Sequence, residues 1–313
     1  MRVIKQTGNQ ELARVFIAEN KEGKLVEFVE STQPPFTFSD KYVLIISTLF
    51  GCPVDCKFCD AGGDYRGKLS PEELLFQMDY AIEKRFGGKT VESEHFKVQF
   101  ARMGEPSFNH HVLEALQAIP GRYSYRKFTP SLSTIGPAGR KHFFDDLLRI
   151  KKDLYRNDFQ LQFSIHSTDT AQRDNLLPVK KMSFEEIAGY GKLFYDEGGK
   201  KITLNFALGK ENIVELPVLK KHFPADHFLI KLTPVNPTYK AGYNRIESRI
   251  SRTAMHPELA DELRDAGYDV ILSIGEWEEN RIGSNCGQYV CSLKKEGQLT
   301  SDSYTYQVES EME

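Results

Sequence analysis

The chain has 313 residues, 40% of them hydrophobic and 12% aromatic, and a formal net charge of −3. This is enough for one large domain or two ordinary ones with a sizeable core, and no apolar run is long enough to span a membrane. The charge balance excludes a generally basic, nucleic-acid-coating surface, though not a local basic groove. The N-terminal "MRVIKQTGNQELARVF" lacks an apolar segment followed by small residues, so a cytoplasmic protein without a signal peptide is expected.

Residues 1–40 read as a small β unit. "ARVFIAEN" and "GKLVEFVE" are β-rich runs joined by a turn at Lys21-Glu22-Gly23. The proline-broken "STQPPFTFSD" connects them to the apolar strand "YVLIIST", which leads into a cysteine-bearing loop. "SPEELLFQMDYAIEKRFGG" predicts a helix with Ser70 as cap, Pro71 in the first turn, Glu73 completing a capping box, and Gly87-Gly88 as the stop. Further strands are expected at "FKVQFA", "KFTPSLST", "FQLQFSIH", "KITLNFAL" and "HFLIKLTPV". Helices are expected between them at "HHVLEALQAI", "GRKHFFDDLLRIKK", "SFEEIAGYGKLFYDEG" and "NIVELPVLKKHF". "HPELADELRDAGYDVILSI" reads as a closing helix and strand. Apolar strands alternating with amphipathic helices imply an α/β fold with a parallel sheet, here a partial (β/α)6 barrel with an N-terminal β extension. The expected domains are the β unit 1–40, the barrel 41–295 and an acidic tail 296–313, "SDSYTYQVESEME" being its end. In such a barrel, functional groups gather at the C-terminal ends of the strands.

Three of the five cysteines, Cys52, Cys56 and Cys59, stand in "GCPVDCKFC". This does not resemble a disulfide framework; in a reducing compartment such a cluster binds metal or does redox chemistry. A structural zinc site needs four closed ligands, and the nearest histidine, His95, falls in a different segment. A [4Fe–4S] cluster held by three thiolates leaves one iron with an open position for amino and carboxylate groups. The C-x-x-x-C-x-x-C spacing after the first barrel strand, with the aromatic Phe58 before Cys59, resembles the signature of the radical S-adenosylmethionine (SAM) enzymes. That resemblance implies a [4Fe–4S] cluster and SAM as cofactors, with the protein orienting them and keeping water away.

Polar groups follow at other strand ends. "ARMGEP" places Gly104 and Glu105 where backbone can approach a ligand and a carboxylate can accept from SAM's amino group; an ordinary turn is the alternative. "LSTIG" offers Ser133 and Thr134. "FSIHS" offers Ser164 and His166, the histidine as a ligand of SAM's ribose or carboxylate or as a packed residue. "TPVNPT" sets Asn236 between two prolines, where it can bond the adenine or ribose.

The ordered set "GCPVDCKFC", "MGEPSFN", "LSTIGP", "FSIHSTDTAQRDNLLPVKK", "LTPVNP" and "NCGQY" resembles the RlmN and Cfr family of adenine-C2 RNA methyltransferases, over roughly residues 23–290. The resemblance implies that Cys286 carries a methyl group taken from one SAM, that a second SAM is cleaved to activate it, and that an sp2 carbon receives it. The substrate is then RNA or a smaller adenine-containing molecule, the electron donor a flavodoxin-like reductant. Glu27 matches that family's acidic proton acceptor near the substrate, with a solvated strand residue as the alternative. Two departures stand out. Ile45 occupies the position of the family's resolving cysteine, and Cys291 is the spare thiol that can replace it or lie inert. The family's N-terminal RNA-associated domain has no counterpart, which weakens the case for ribosomal RNA. A radical SAM enzyme without methyl transfer, and a non-catalytic metal-binding protein, are the other readings.

Overall fold

The computed structural model describes residues 1–251, 257–285, 289–290, 306 and 309–310. It opens with an antiparallel meander of β1 (Arg2–Asn9), β2 (Ala13–Glu19) and β3 (Leu25–Ser31). β2 and β3 are the runs expected from sequence. β1 has no clean alternation to announce it; its register on β2, from Arg2 opposite Glu19 to Asn9 opposite Ala13, holds it in place. β4 (Lys41–Ile46) follows, then a two-stranded ladder of β5 (Leu49–Phe50) and β6 (Gly67–Lys68) that closes the base of the cysteine loop.

Helices and strands then alternate: α1 (Pro71–Phe86), β7 (His95–Phe100), α2 (His111–Arg122), β8 (Phe128–Thr134), α3 (Lys141–Ile150), β9 (Gln160–Ser164), α4 (Thr170–Leu176), α5 (Phe184–Phe194), β10 (Ile202–Leu208), α6 (Leu216–His222), β11 (Phe228–Pro234), α7 (Tyr239–Tyr243), α8 (Glu258–Asp265), β12 (Val270–Leu272), α9 (Trp277–Ile282) and β13 (Glu309–Ser310). The sheet order is β12-β11-β10-β9-β8-β7-β4-β3-β2-β1-β13, with every pairing from β4 through β12 parallel. The two outer strands of the order do not pair, so the barrel is partial. β3 pairs antiparallel with β4 (Val29 opposite Ile45), so the N-terminal unit continues the barrel sheet. Within the expected acidic tail, Glu309 and Ser310 pair with Gln6 and Lys5 of β1.

Local chemistry explains the boundaries. Ser70 Oγ accepts from the Glu73 N–H at 3.2 Å, and the Glu73 carboxylate accepts from the Ser70 N–H at 2.9 Å. Gly87 stops α1 in the left-handed region (φ 74°), where glycine carries no Cβ penalty. α6 begins later than "NIVELPVLKKHF" suggests, because residues 212–215 are occupied elsewhere. The Ile213 carbonyl accepts from Thr168 and its N–H donates to the Gln172 side chain. Outward faces of the parallel strands carry the core: Phe96, Val98, Phe100, Leu161, Phe163, Leu204, Phe206, Ile230 and Leu232 are all buried. Each such side chain contributes roughly 1.5–3 kcal/mol by leaving water. The inward faces are different. Where barrels usually fill their interior with branched apolar residues, this one presents Gln99, Ser133, Gln162, Ser164, Asn205, Lys231 and Thr233 to a cavity.

Candidate active site

The cavity, about 690 Å³, lies inside the partial barrel and reaches the C-terminal ends of its strands. Cys52, Cys56, Cys59, Gly104, Glu105, Ser133, Ser164, His166 and Asn236 all line it. Nine residues singled out from five separate stretches of sequence thus converge on one space.

The cysteine loop is shaped by its own backbone and pinned from outside. Gly51 adopts φ 75°, and a Cβ there would lie 2.0 Å from the Asp64 carbonyl oxygen, so glycine is required. The Gly63 N–H donates to the Cys52 carbonyl at 3.3 Å, and the Cys59 N–H to the Cys56 carbonyl at 3.2 Å. α7, which follows β11, grips the loop from the far side. The Asp60 carboxylate accepts from the Tyr239 and Lys240 N–H groups at 3.0 and 2.9 Å, and Thr238 Oγ1 donates to the Phe58 carbonyl at 2.8 Å. Asn244 Nδ2 donates to the Lys57 carbonyl at 2.7 Å.

Cys52 is buried, Cys56 and Cys59 partly so. Burial pushes the Cys52 thiol up to about 11, with the Glu105 carboxylate acting in the same direction. Burial, then the neighbouring Cys52, raises Cys56 further. Thiols so placed ionise only against a strong local positive charge, which a metal centre provides. Among the described residues no three His, Cys, Asp or Glu side chains close on a single ion. His95 is no fourth ligand. It opens β7 at the opposite end of the strand, with Nε2 2.9 Å from Thr129 Oγ1. Three soft thiols, with no fourth among the described residues, suit an iron–sulfur cluster better than one zinc ion.

Glu105 is buried, which raises its pKa, against the pull of its hydrogen bonds. Its Oε1 accepts from Thr134 Oγ1 (2.5 Å), Ser107 Oγ (2.8 Å) and the Ser107 N–H (3.1 Å). Its Oε2 accepts from the Ile135 N–H at 2.9 Å, which leaves that oxygen one further lone pair. Thr134 is therefore committed to Glu105. Gly104 has φ 99°, and a Cβ there would meet Leu49 Cβ at 2.5 Å; close packing on Leu49 is what its missing side chain permits.

His166 sits in the left-handed region (φ 63°), its carbonyl accepting from Asn212 Nδ2 at 2.7 Å. Its Nδ1 accepts from the Ala207 N–H at 2.9 Å, which places the proton on Nε2. Burial, aided by Arg173, holds its pKa down to about 3, so the ring is a neutral donor. Phe58 meets it edge-on at 4.8 Å.

Glu27 is not part of the cavity wall. It is fully buried on β3, where burial pushes its carboxyl up and the Arg102 guanidinium pulls against that shift. Its Oε1 takes Arg102 Nε at 2.9 Å and its Oε2 takes the Val290 N–H at 3.0 Å. Arg102 also donates to the Gly283 and Ser284 carbonyls at 2.7 and 2.8 Å. The pair thus holds both flanks of the segment containing Cys286. Cys286 and Cys291 lie outside the described residues; Asn285, immediately before Cys286, lines the cavity. Sequence reasoning passed over Arg102, although a charge inside "FARMGEP" at the end of an apolar strand was the available signal. It also passed over Asn212 and Lys231.

No protein-family model matches the chain. It is 27% identical to the dual-specificity RNA methyltransferase RlmN of Pseudomonas fluorescens over 92% of this chain and 73% of that protein. It is 28% identical to the RlmN of a Marinomonas species over 92% of this chain and 76% of that protein. In structure it is similar to a radical SAM methyltransferase from Sphaerobacter thermophilus, with a TM-score of 0.68 at 18% identity, over 92% of this chain and 80% of that one. Fold, cysteine spacing and these relatives together make the chain an enzyme that resembles one class, the radical SAM enzymes. Within that class, the chain resembles the RlmN methyltransferases. Among the described residues no helix is long and apolar enough to cross a membrane.

Proposed function

We propose that the protein is a radical SAM methyltransferase that uses Cys286 as methyl carrier and methylates an electrophilic sp2 carbon, adenine C2 or its equivalent, in RNA or a smaller molecule. The observation that carries this reading is the convergence of three thiols and six strand-end residues, five of them polar, on one cavity. Cys52, Cys56 and Cys59 would hold the [4Fe–4S] cluster. When bound, it supplies the electron that cleaves SAM to methionine and a 5′-deoxyadenosyl radical.

The remaining roles fall to the chain's own side chains. Glu105 Oε2 has a lone pair for the amino group of SAM. His166 offers a neutral Nε2–H, and Ser133, Ser164 and Asn236 offer polar groups for ribose, carboxylate or adenine. Val54, Phe58, Ala61 and Val235 supply an apolar wall that excludes water. The Cys286 thiolate would displace S-adenosylhomocysteine from the methyl carbon of one SAM, giving a methyl thioether. Glu27, paired with Arg102, positions the segment that carries this cysteine and is not free to accept a proton from substrate. A flavodoxin-like reductant is the matching electron donor.

Ile45 lines the cavity and brings no thiol to resolve a protein–substrate adduct. That supports a second reading, direct use of the deoxyadenosyl radical without methyl transfer. Anaerobic turnover with methyl-labelled SAM separates the two. Methyl transfer yields S-adenosylhomocysteine and labelled Cys286; direct radical use yields 5′-deoxyadenosine and labelled methionine, with no S-adenosylhomocysteine. Replacing Cys52, Cys56 or Cys59 by Ala should abolish iron retention and SAM cleavage together. Cys286→Ala should keep both and lose transfer. A Cys286→Ala protein that still methylates overturns the carrier assignment.

A further inference from the structure

The interior of the barrel below the strand ends carries positive charge that the proposed chemistry does not use. Lys231 on β11 lines the cavity, yet it makes no ion pair among the described residues. Directly opposite it in register, on β10, is Asn205. Asn205 is 8% exposed, lines the same cavity, and its Oδ1 has no hydrogen-bond partner. One layer down, Thr203 is fully buried and its Oγ1 is likewise unpartnered. Lys97, two residues before the cavity-lining Gln99 on β7, is buried with its ammonium on Gln160 Oε1 at 2.8 Å. Lys41 opens β4 beside it.

The electrostatics of this group are one-sided. Burial depresses Lys97 well below the ordinary lysine value, and Lys231, Lys41 and Lys200 then press in the same direction. Burial brings Lys231 down to about 8, with Lys41 adding to the shift. No carboxylate is among the groups acting on either lysine. Buried ammonium groups are ordinarily paired, and a buried amide oxygen ordinarily has a donor. Here the half-buried Lys231 lines the cavity without an ion pair among the described residues, and Asn205 beside it on the neighbouring strand keeps an unpartnered Oδ1. The Asn205 amide also carries an NH2 donor on the strand position opposite the lysine.

We propose that Lys231 and Asn205, backed by Lys97, form an anion-binding floor that holds a phosphate or carboxylate of the substrate. The substrate is then an acidic molecule that inserts its charged end into the barrel and leaves its reacting carbon toward the cysteine loop. Only the word substrate rests on the proposed methyltransferase reading; the anion site stands on the geometry.

The test is a melting and calorimetric titration of the anaerobically reconstituted holoenzyme with inorganic phosphate and, separately, acetate. One of the two should raise the melting temperature saturably, and which one does so tells phosphate from carboxylate. In Lys231→Met the apparent affinity should fall roughly tenfold or more. Without any anion, Lys231→Met should melt higher than the parent, because a half-buried ammonium without an ion pair among the described residues is removed. Lys210→Met, on the surface, should change neither. Equal anion response in Lys231→Met and parent, or none in either, overturns the site. So does a Lys231→Met or Lys231→Gln protein that melts lower without anion, since the ammonium would then have a partner within the fold. Competition between SAM and the anion would assign the floor to the cofactor's own carboxylate and overturn the substrate assignment. None of these readouts depends on methyl transfer.

Discussion

A single guanidinium, that of Arg102, ties two distant parts of the chain together: β3 through Glu27, and the consecutive carbonyls of Gly283 and Ser284. Removing one member of a buried ion pair leaves the other uncompensated, a cost of roughly 3–5 kcal/mol. Arg102→Met should therefore lower the denaturation midpoint strongly, and adding Glu27→Gln should recover part of the loss. Mass-spectrometric alkylation should show Cys286 reacting faster in the single variant. A midpoint that does not move would remove the clamp from the account. His166 gives a pH signature. Its folded pKa, about 3, lies below its ordinary value of 6.5, so the unfolded chain binds the extra proton first. Stability from this residue is complete above pH 6.5 and declines as pH falls toward 3. Between pH 7 and pH 5 the loss is about 2 kcal/mol. His166→Asn keeps an acceptor for the Ala207 N–H and should flatten that slope in melts at the two pH values. The residues legible in advance were those announced by local spacing or by a polar letter ending an apolar run. Glu27 was visible but its ion pair with Arg102 was not, because that partner is 75 residues away. Burial and ion pairing across that distance leave no mark in a one-dimensional pattern.

Among the elements, the cysteine loop is the most tightly specified. Gly51→Ala forces a Cβ against the Asp64 carbonyl in a backbone region that side chains avoid. The expected outcome is a protein that folds, with near-parent helicity by circular dichroism, but retains much less iron after anaerobic reconstitution. Full iron content would mean that the loop accommodates the change. By contrast, Ser70→Ala removes a cap and should cost about 1 kcal/mol, without effect on iron. The start and stop of α1 were readable because cap chemistry is local. The start of α6 was not. The stretch before it is diverted to hold the backbone around His166 and Thr168, and that tertiary demand outweighs helical propensity. β1 was missed for a related reason, since its strand state is set by its pairing partner.

For the molecule as a whole, the sequence pattern pointed correctly to parallel strands and a partial barrel. It separated the first forty residues as a unit of their own, whereas hydrogen bonding carries one sheet from β13 through β4 to β12. Deleting residues 1–35 would strip β3 from β4 and expose an unpaired edge. The truncated chain should aggregate or lose cooperative melting; a soluble, cooperatively melting product would make the barrel an independent domain. The polar interior was legible only in fragments, because lysine, asparagine and glutamine alternating with apolar residues read as solvent-facing positions, whereas here they face the cavity. The grip of α7 on the cysteine loop has a consequence for how assembly of the metal centre can be watched. Since Asp60 and Thr238 couple that loop to residues 238–244, amide protons on the remote wall of the barrel should slow their exchange with deuterium once iron and sulfide are incorporated, reporting on maturation from a place that no sulfur touches.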